Sequence, residues 1–254
     1  MGSDLNPVPS RKIIDLRTER SIHERLGRRT LQLVPRPPRL LYANQYYHVL
    51  NRANHGAAVF HCAADYRAFL ALIEASQRRI SLQIIGACLM PNHFHLVVRQ
   101  SNATDIPRWL QWLCTTHARH YHAKHQSYGR LWQGRYRAFL VQGDHYLTTL
   151  LRYVERNALR KNLVARAEDW LWGSLNWRLS GSSPVDLTAP PVSLPGGWVE
   201  WVNQVQTAAE LEAIRTSVHR QRPYGDPAWV RANACDARLE QSLVAVGRPR
   251  NSRV

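Results

Sequence analysis

The chain reads as an α+β domain of the split βαβ type, ferredoxin-like or RRM-like, with a mainly antiparallel sheet and helices on one face. Three observations carry this reading. Short β-branched and aromatic runs alternate with stretches of helical period, in the order strand, helix, strand, strand, helix, strand, helix. The two middle strands are joined by a turn too short for a crossover, so they pair antiparallel. The second of them alternates strictly between apolar and polar residues, which marks a strand with one buried face.

Each element has its own signal. Gln45 to Leu50 is aromatic and β-branched, as a strand requires. Asp65 to Arg79 places Tyr66, Phe69, Leu70 and Ile73 at helical spacing. Leu82 to Leu89 is a nearly continuous apolar run and reads as a central strand, and Met90-Pro91-Asn92 is a turn. His93 to Arg99 is the alternating strand, with Phe94, Leu96 and Val98 towards the core. Ile106 to Lys124 is helical, with Trp109, Leu110 and Leu113 inward. Gln133 to Val141 reads as the fourth strand. Asp144 to Lys161 reads as one long helix, with Asp144 as N-cap and Leu147, Leu150, Leu151 and Val154 as its apolar stripe. The sheet face away from the helices is expected to be free for a ligand.

Four regions follow. Residues 1–40 are Arg-rich, carry a short helical pattern from Ile13 to Leu26, and end in a proline-rich stretch; they read as a flexible basic arm. Residues 41–179 form the main domain. Residues 180–197, rich in Ser, Pro and Gly, read as a linker. Residues 198–254 read as a small helical appendage with a basic tail.

Composition narrows the partners. Lys plus Arg total 34 against 18 Asp plus Glu, a formal net charge of +16. Such an excess points to a polyanion, and Arg suits phosphate because its planar fork donates paired hydrogen bonds. The chain has neither a basic amphipathic helix with a broad apolar face nor an apolar run of about 18 residues, so nucleic acid is favoured over a membrane. The N-terminus shows no secretory pattern, and the four cysteines form no C-x-x-C pair. A cytoplasmic, nucleoid-associated bacterial protein is expected.

Chemistry concentrates in two places. In the strand, His93 and His95 share a face and lie about 6.7 Å apart along it, so both rings can lean towards one ion. A structural role for the pair stays open from this feature alone. On the last helix, Tyr153 and Asn157 are four residues apart and stack on one face. Tyr153 alone reads as a tyrosine straddling core and solvent, and Asn157 alone as a surface amide. Together, a phenol and an amide oxygen could approach a metal-bound phosphate. In a further cluster, His117, His120, His122 and His125, the residues His120 and His122 lie about 200° apart on a helix and cannot share a metal, whereas His117 and His120 could; no His-Glu-x-x-His is present, and the cluster reads as a polar helix surface that could face DNA.

At this point the sequence resembles a known family. Tyr47-His48-Val49-Leu50-Asn51-Arg52, Met90-Pro91-Asn92-His93-Phe94-His95, Trp132-Gln133-Gly134-Arg135-Tyr136 and Tyr153-Val154-Glu155-Arg156-Asn157 occur in the order seen in REP-associated tyrosine transposases. These are single-tyrosine members of the His-hydrophobe-His superfamily, similar to the small insertion-sequence transposases. The resemblance spans about residues 42–178. It implies that His93, His95 and Asn157 bind a divalent metal, Mg2+ or Mn2+, and that Tyr153 is the nucleophile. It further implies cleavage and rejoining of single-stranded DNA at a hairpin through a 5′-phosphotyrosine, by a monomer or a homodimer. Two positions depart from the family: Ala158 stands where a proline is usual, and Trp172-Gly173-Ser174 replaces Trp-Ser-Ser.

DNA contacts are expected from Arg52, Gln133, Arg135, Arg137, Arg152, Arg160 and Lys161, with Arg156 nearby, and from Arg248 and Arg250 in the tail. Trp132, Tyr136, Tyr46 and Tyr47 are candidates for stacking on bases. Two other functions stay open on sequence alone: a non-enzymatic single-strand binder, and a metal-dependent nuclease that uses water.

Overall fold

The computed structural model describes residues 40–237 and 239–244. The expected N-terminal arm and the basic tail, with Arg248 and Arg250, lie outside the described residues.

Strands β1 (Tyr46–Arg52), β2 (Leu82–Met90), β3 (His93–Gln100) and β4 (Arg137–Val141) form one sheet in the order β2-β3-β1-β4. Every neighbouring pair is antiparallel. Helix α1 (Ala63–Arg79) joins β1 to β2, and α2 (Asp105–His125) joins β3 to β4. This is the split βαβ arrangement that the order of periodicities predicts.

Pleating sorts the side chains. Tyr47, Val49, Phe94, Leu96, Val98 and Leu140 point to the face covered by α1 and α2, where they meet Phe69, Ile73, Trp109 and Leu113. Each Leu or Phe buried here contributes about 1.5–3 kcal/mol relative to exposure.

The opposite face is not free. Helix α3 (His145–Glu155) lies across it. Leu147, Leu150, Leu151 and Val154 are fully buried against Ile85, Val97, Phe139 and Val141. The reason is packing: α3 carries an apolar stripe that must be covered, and the first face is already filled. Gly86 allows the close approach, since a Cβ there would meet Leu151 Cδ2 at 2.6 Å. Asp144 caps α3 as expected, accepting from the Tyr146 amide at 2.9 Å.

Two boundaries differ from expectation. The fourth strand begins at Arg137 rather than Gln133, because Gly134 turns the chain with φ of +97°. The long helix breaks at Arg156, and Asn157–Arg160 forms the separate turn α4.

The chain continues through α5 (Ser174–Ser180), α6 (Trp198–Asn203), α7 (Ala208–Arg220) and α8 (Pro227–Asp236). Trp198, Val202 and Ile214 join the core under α3. The buried Glu155 carboxylate accepts from Ser174 Oγ at 2.7 Å and Trp198 Nε1 at 2.8 Å, and it pairs with Arg178. The Ser-, Pro- and Gly-rich stretch lies along the sheet edge, where Thr188 donates its amide to the Ile84 carbonyl at 2.8 Å. Among the described residues no helix is long and apolar enough to cross a membrane.

Candidate active site

A cleft of about 770 Å³ opens where the end of β1, the start of β3, the 133–137 turn and α3–α4 meet. His93, His95, Tyr153 and Asn157 all line it, with Arg52, Gln133, Arg135, Arg137, Arg160 and Lys161. The turn is brought there by backbone pairing: the Gln133 amide donates to the Arg52 carbonyl and the Asn54 amide to that of Leu131, each at 2.8 Å.

The two imidazoles are held from behind. Asn92 Nδ2 donates to the Gly56 carbonyl at 2.7 Å, which fixes the amide orientation. Asn92 Oδ1 therefore faces His93 Nδ1 at 2.6 Å and accepts its proton. The lone pair of His93 then resides on Nε2. His95 Nδ1 lies 2.8 Å from Nε2 of His48, a residue buried on β1. For His95 to present a lone pair at Nε2, its Nδ1 must donate to His48. The proton of His48 then sits on its own Nδ1, a buried atom with no partner among the described residues. Backing of a ligand imidazole through its second nitrogen is the usual way such rings are oriented.

All three rings are held neutral. Burial pushes His93 down to about 4, with Arg52, Lys161 and Arg160 adding to the effect. Burial pushes His48 down to about 3, helped by Arg160. His95 is driven well below the ordinary imidazole value by burial, then by His48, His93 and Arg160. Neutral imidazole is the form that binds a cation.

The Tyr153 ring is largely buried at the end of α3 yet reaches the cleft, 6.1 Å from the His95 ring and 6.3 Å from that of His48. It is both a core-edge tyrosine and a cleft residue. The Arg160 guanidinium stacks on it, 4.1 Å from the ring centre. Arg160 Nη2 also donates to Asn157 Oδ1 at 2.9 Å, so one cation holds both members of the Tyr-x-x-x-Asn pair.

The residues fit a divalent cation, with one condition. The His93 and His95 Nε2 atoms have no hydrogen bond among the described residues, and the Asn157 oxygen retains a second lone pair beside Arg160. No three His, Cys, Asp or Glu side chains converge as a metal cluster among the described residues. No carboxylate among them lines the cleft. The remaining oxygens would have to come from water or a bound phosphate, and the negative charge from the phosphate.

Several expectations are corrected. Arg152 does not line the cleft. Its guanidinium is buried beneath the C-terminal helices, donating to the carbonyls of Trp201 at 2.8 Å, Gln204 at 2.9 Å and Val205 at 3.3 Å, with Glu210 at 3.5 Å. One position along a helix turns a side chain by about 100°, enough to send it to the other side of α3. Arg156 likewise turns to the carbonyls of Gln204 and Asn203. Trp132 and Tyr47 are core residues, buried against Phe94 and its neighbours, and have no face for a base. His117 is also buried, between Phe60, Phe69 and Trp132, and does not belong to a polar surface.

Sequence reasoning gave no site role to His48, seen as part of a strand and of a family motif, and it missed the α7 residues Arg215, Val218 and His219, which line the same cleft. His48 carries a signal in hindsight, since a histidine on an inner β-branched strand needs a partner. The α7 residues carry none.

Residues 41–157 match the family model described as "Transposase IS200 like". Among solved structures, the chain is similar to a REP-associated tyrosine transposase bound to a REP hairpin, at 12% identity and TM-score 0.48, covering 68% of this chain and 98% of that one. It is also similar to a protein described as a candidate transposase from Deinococcus radiodurans R1, at 19% identity and TM-score 0.34, covering 47% and 95%. No curated protein matches. Strand order and register, rather than these likenesses, define the fold.

Proposed function

We propose that this protein cuts and rejoins single-stranded DNA at a hairpin, with Tyr153 as nucleophile. The observation that carries the reading is the convergence of His93, His95, Tyr153, Asn157 and six further DNA-binding candidates in one cleft. Within one chain the Tyr153 ring lies 6.1 Å from that of His95, the placement that attack beside its own histidines requires.

Tyr153 loses its phenolic proton and its oxygen forms a bond to phosphorus. The bond from phosphorus to the 3′ oxygen breaks, and that oxygen takes up a proton. The products are a 5′-phosphotyrosine and a free 3′-hydroxyl. The phosphodiester is exchanged rather than hydrolysed, so an incoming 3′-hydroxyl reverses the step without ATP.

Arg160 holds the Tyr153 ring, and the buried stripe of α3 fixes the helix behind it. Arg52, Gln133, Arg135 and Lys161 bind phosphates on either side of the scissile one. His93, His95 and Asn157 would hold Mg2+ or Mn2+, which when bound polarises the phosphate and stabilises its developing charge. The surrounding α3 and sheet exclude water from the buried side of the phenol, which favours exchange over hydrolysis.

The test is incubation with labelled hairpin DNA and manganese, followed by a denaturing gel. A covalent protein–DNA adduct that maps to the peptide containing Tyr153 supports the reading. Cleavage with no adduct under any trapping condition would overturn it in favour of a nuclease that uses water. Binding without cleavage would leave a single-strand binder.

A further inference from the structure

We infer that α7 is a second wall of the DNA groove, and that Arg215 and His219 on it grip phosphates of the strand flanking the cut. This rests on the function proposed above and adds a binding surface beyond the segment that matches the transposase family, which ends at residue 157.

Three observations converge. Arg215, Val218 and His219 line the same cleft as His93, His95 and Tyr153. Arg215 and His219 are one helical turn apart, so they present a single face, and both side chains are exposed with no hydrogen bond or ion pair among the described residues. An exposed Arg pointing into a basic cleft without a carboxylate is poorly placed for anything but an anion.

The wall is also rigid. The buried Arg152 ties the α6–α7 connection to α3 through three backbone carbonyls. Thr207 and Glu210 close a reciprocal cap at the start of α7. Ile214 is fully buried in the core under α3. Arg137 Nη1 donates to the Val218 carbonyl at 3.0 Å, bracing the far end of the helix against β4. That bond also neutralises a helix carbonyl that would otherwise repel a phosphate. The main-chain path continues to Tyr224, whose amide donates to the Leu140 carbonyl at 2.8 Å and whose carbonyl accepts from the Gln142 amide at 2.9 Å. A fixed helix that aims two donors four residues apart across a groove can bind successive phosphates at little cost in ordering.

The ligand class is therefore a single-stranded polyphosphate backbone, read for its charge and spacing rather than its bases. The experiment uses the full chain and labelled oligothymidine, both alone and as flanks on a hairpin, with binding followed by fluorescence anisotropy across a salt series. The Arg215→Ala, His219→Ala double variant should bind about tenfold more weakly, the scale of losing a charge-assisted hydrogen bond. Its log–log salt slope should be shallower by about 0.7 for each phosphate that is no longer gripped. Shortening the flank from the correct side should abolish the difference from wild type. Arg215→Glu should enlarge the defect, and Arg67→Ala on α1, equal in charge to Arg215→Ala, should show none.

Affinity and salt slope equal to wild type at every flank length, with wild type itself forming the adduct, would overturn the inference and leave the proposed function standing. If wild type binds no single-stranded DNA, both fall together.

Discussion

Two groups of histidines lie in this chain, one on strands and one on a helix, and they meet opposite fates. His48, His93 and His95 come from neighbouring strands and close on one another beside Tyr153. His117, His122 and His125 follow one another along α2 and border the Tyr121 ring, but no hydrogen bond joins one to another among the described residues. His117 is packed among aromatic rings, His122 hydrogen-bonds Ser127 and the Gly129 carbonyl, and His125 stacks on Tyr121. A strand alternates its faces every two residues, so His93 and His95 are delivered to one side. A helix turns about 100° per residue, so His120 and His122 lie about 200° apart and cannot meet as His93 and His95 do. Density of histidine in the sequence says little; the period on which it is laid says much.

The most direct challenge to this contrast is to remove what the strand histidines serve. Tyr153→Phe should abolish the covalent adduct and reduce cleavage on the order of 10⁴-fold or more, as loss of a nucleophile does. Hairpin affinity and folding should stay near wild type, checked by anisotropy and circular dichroism. An adduct that persists in Tyr153→Phe would dissolve the link between the strand group and the tyrosine helix.

Next come the ligands themselves. His95→Ala or His93→Ala should cost several kcal/mol of transition-state stabilisation, on the order of a thousandfold in cleavage rate. Binding should largely survive because it rests on many phosphate contacts. Matching substitutions at His122 or His125 should leave the cleavage rate unchanged in the same assay.

His48 probes the contrast more finely, because it is expected to act through His95 rather than on DNA. His48→Leu should weaken manganese affinity about 10- to 100-fold, the usual loss when the group behind a ligand is removed. His48→Gln, which can still accept a hydrogen bond from His95 Nδ1, should recover part of it. Titration followed by manganese electron paramagnetic resonance reads this directly, and equal affinities in all three proteins would reduce His48 to a packing residue.

The smallest effect concerns the helix group. Burial pushes His117 down to about 4, with His120 adding to the shift and Asp65 opposing it. The unfolded chain takes up this proton near pH 6.5, the native state only near 4. Between those values the unfolded state binds more protons, so native stability falls as pH drops from about 6.5 to 4 and is fully present above 6.5. His117→Phe should flatten the fall in Tm across that window and leave cleavage at neutral pH unaltered. An unchanged Tm profile would show that other buried histidines account for the acid sensitivity.

Much of the fold was legible in the sequence because it is written in short-range periodicities. The alternation from His93 to Arg99 placed Phe94, Leu96 and Val98 in the core, and all three are there. The stripe of Leu147, Leu150, Leu151 and Val154 was equally plain, though not the sheet face on which it would land. What escaped depends on register and on distant packing. His48 reaches His95 only because β1 pairs with β3 so that Leu50 stands opposite His95 and His48 opposite Val97. Arg152 reads as a DNA-facing cation until α6 and α7 pack over it. Arg215 and His219 carry no local pattern at all, and their place in the cleft is set by ties to Arg152, a residue far back along the chain.

The Arg152 clamp and the buried Glu155 carboxylate also decide how much of this chain can be inherited or borrowed as a unit. The stretch shared with the wider family stops at residue 157, but a protein trimmed there would leave Arg152 and Glu155 facing water with their counterparts deleted, along with a bare strip of α3 where Trp198, Val202 and Ile214 had been. The ties that hold α3 to the later helices would be lost, and the exposed apolar strip invites aggregation. A shortened version that keeps the tyrosine helix in place must therefore run at least through Tyr224, where the chain is tied to β4. Gene fusions, permuted versions and minimal editing tools built on this scaffold are bound by the same limit, so recombination before that residue would be penalised.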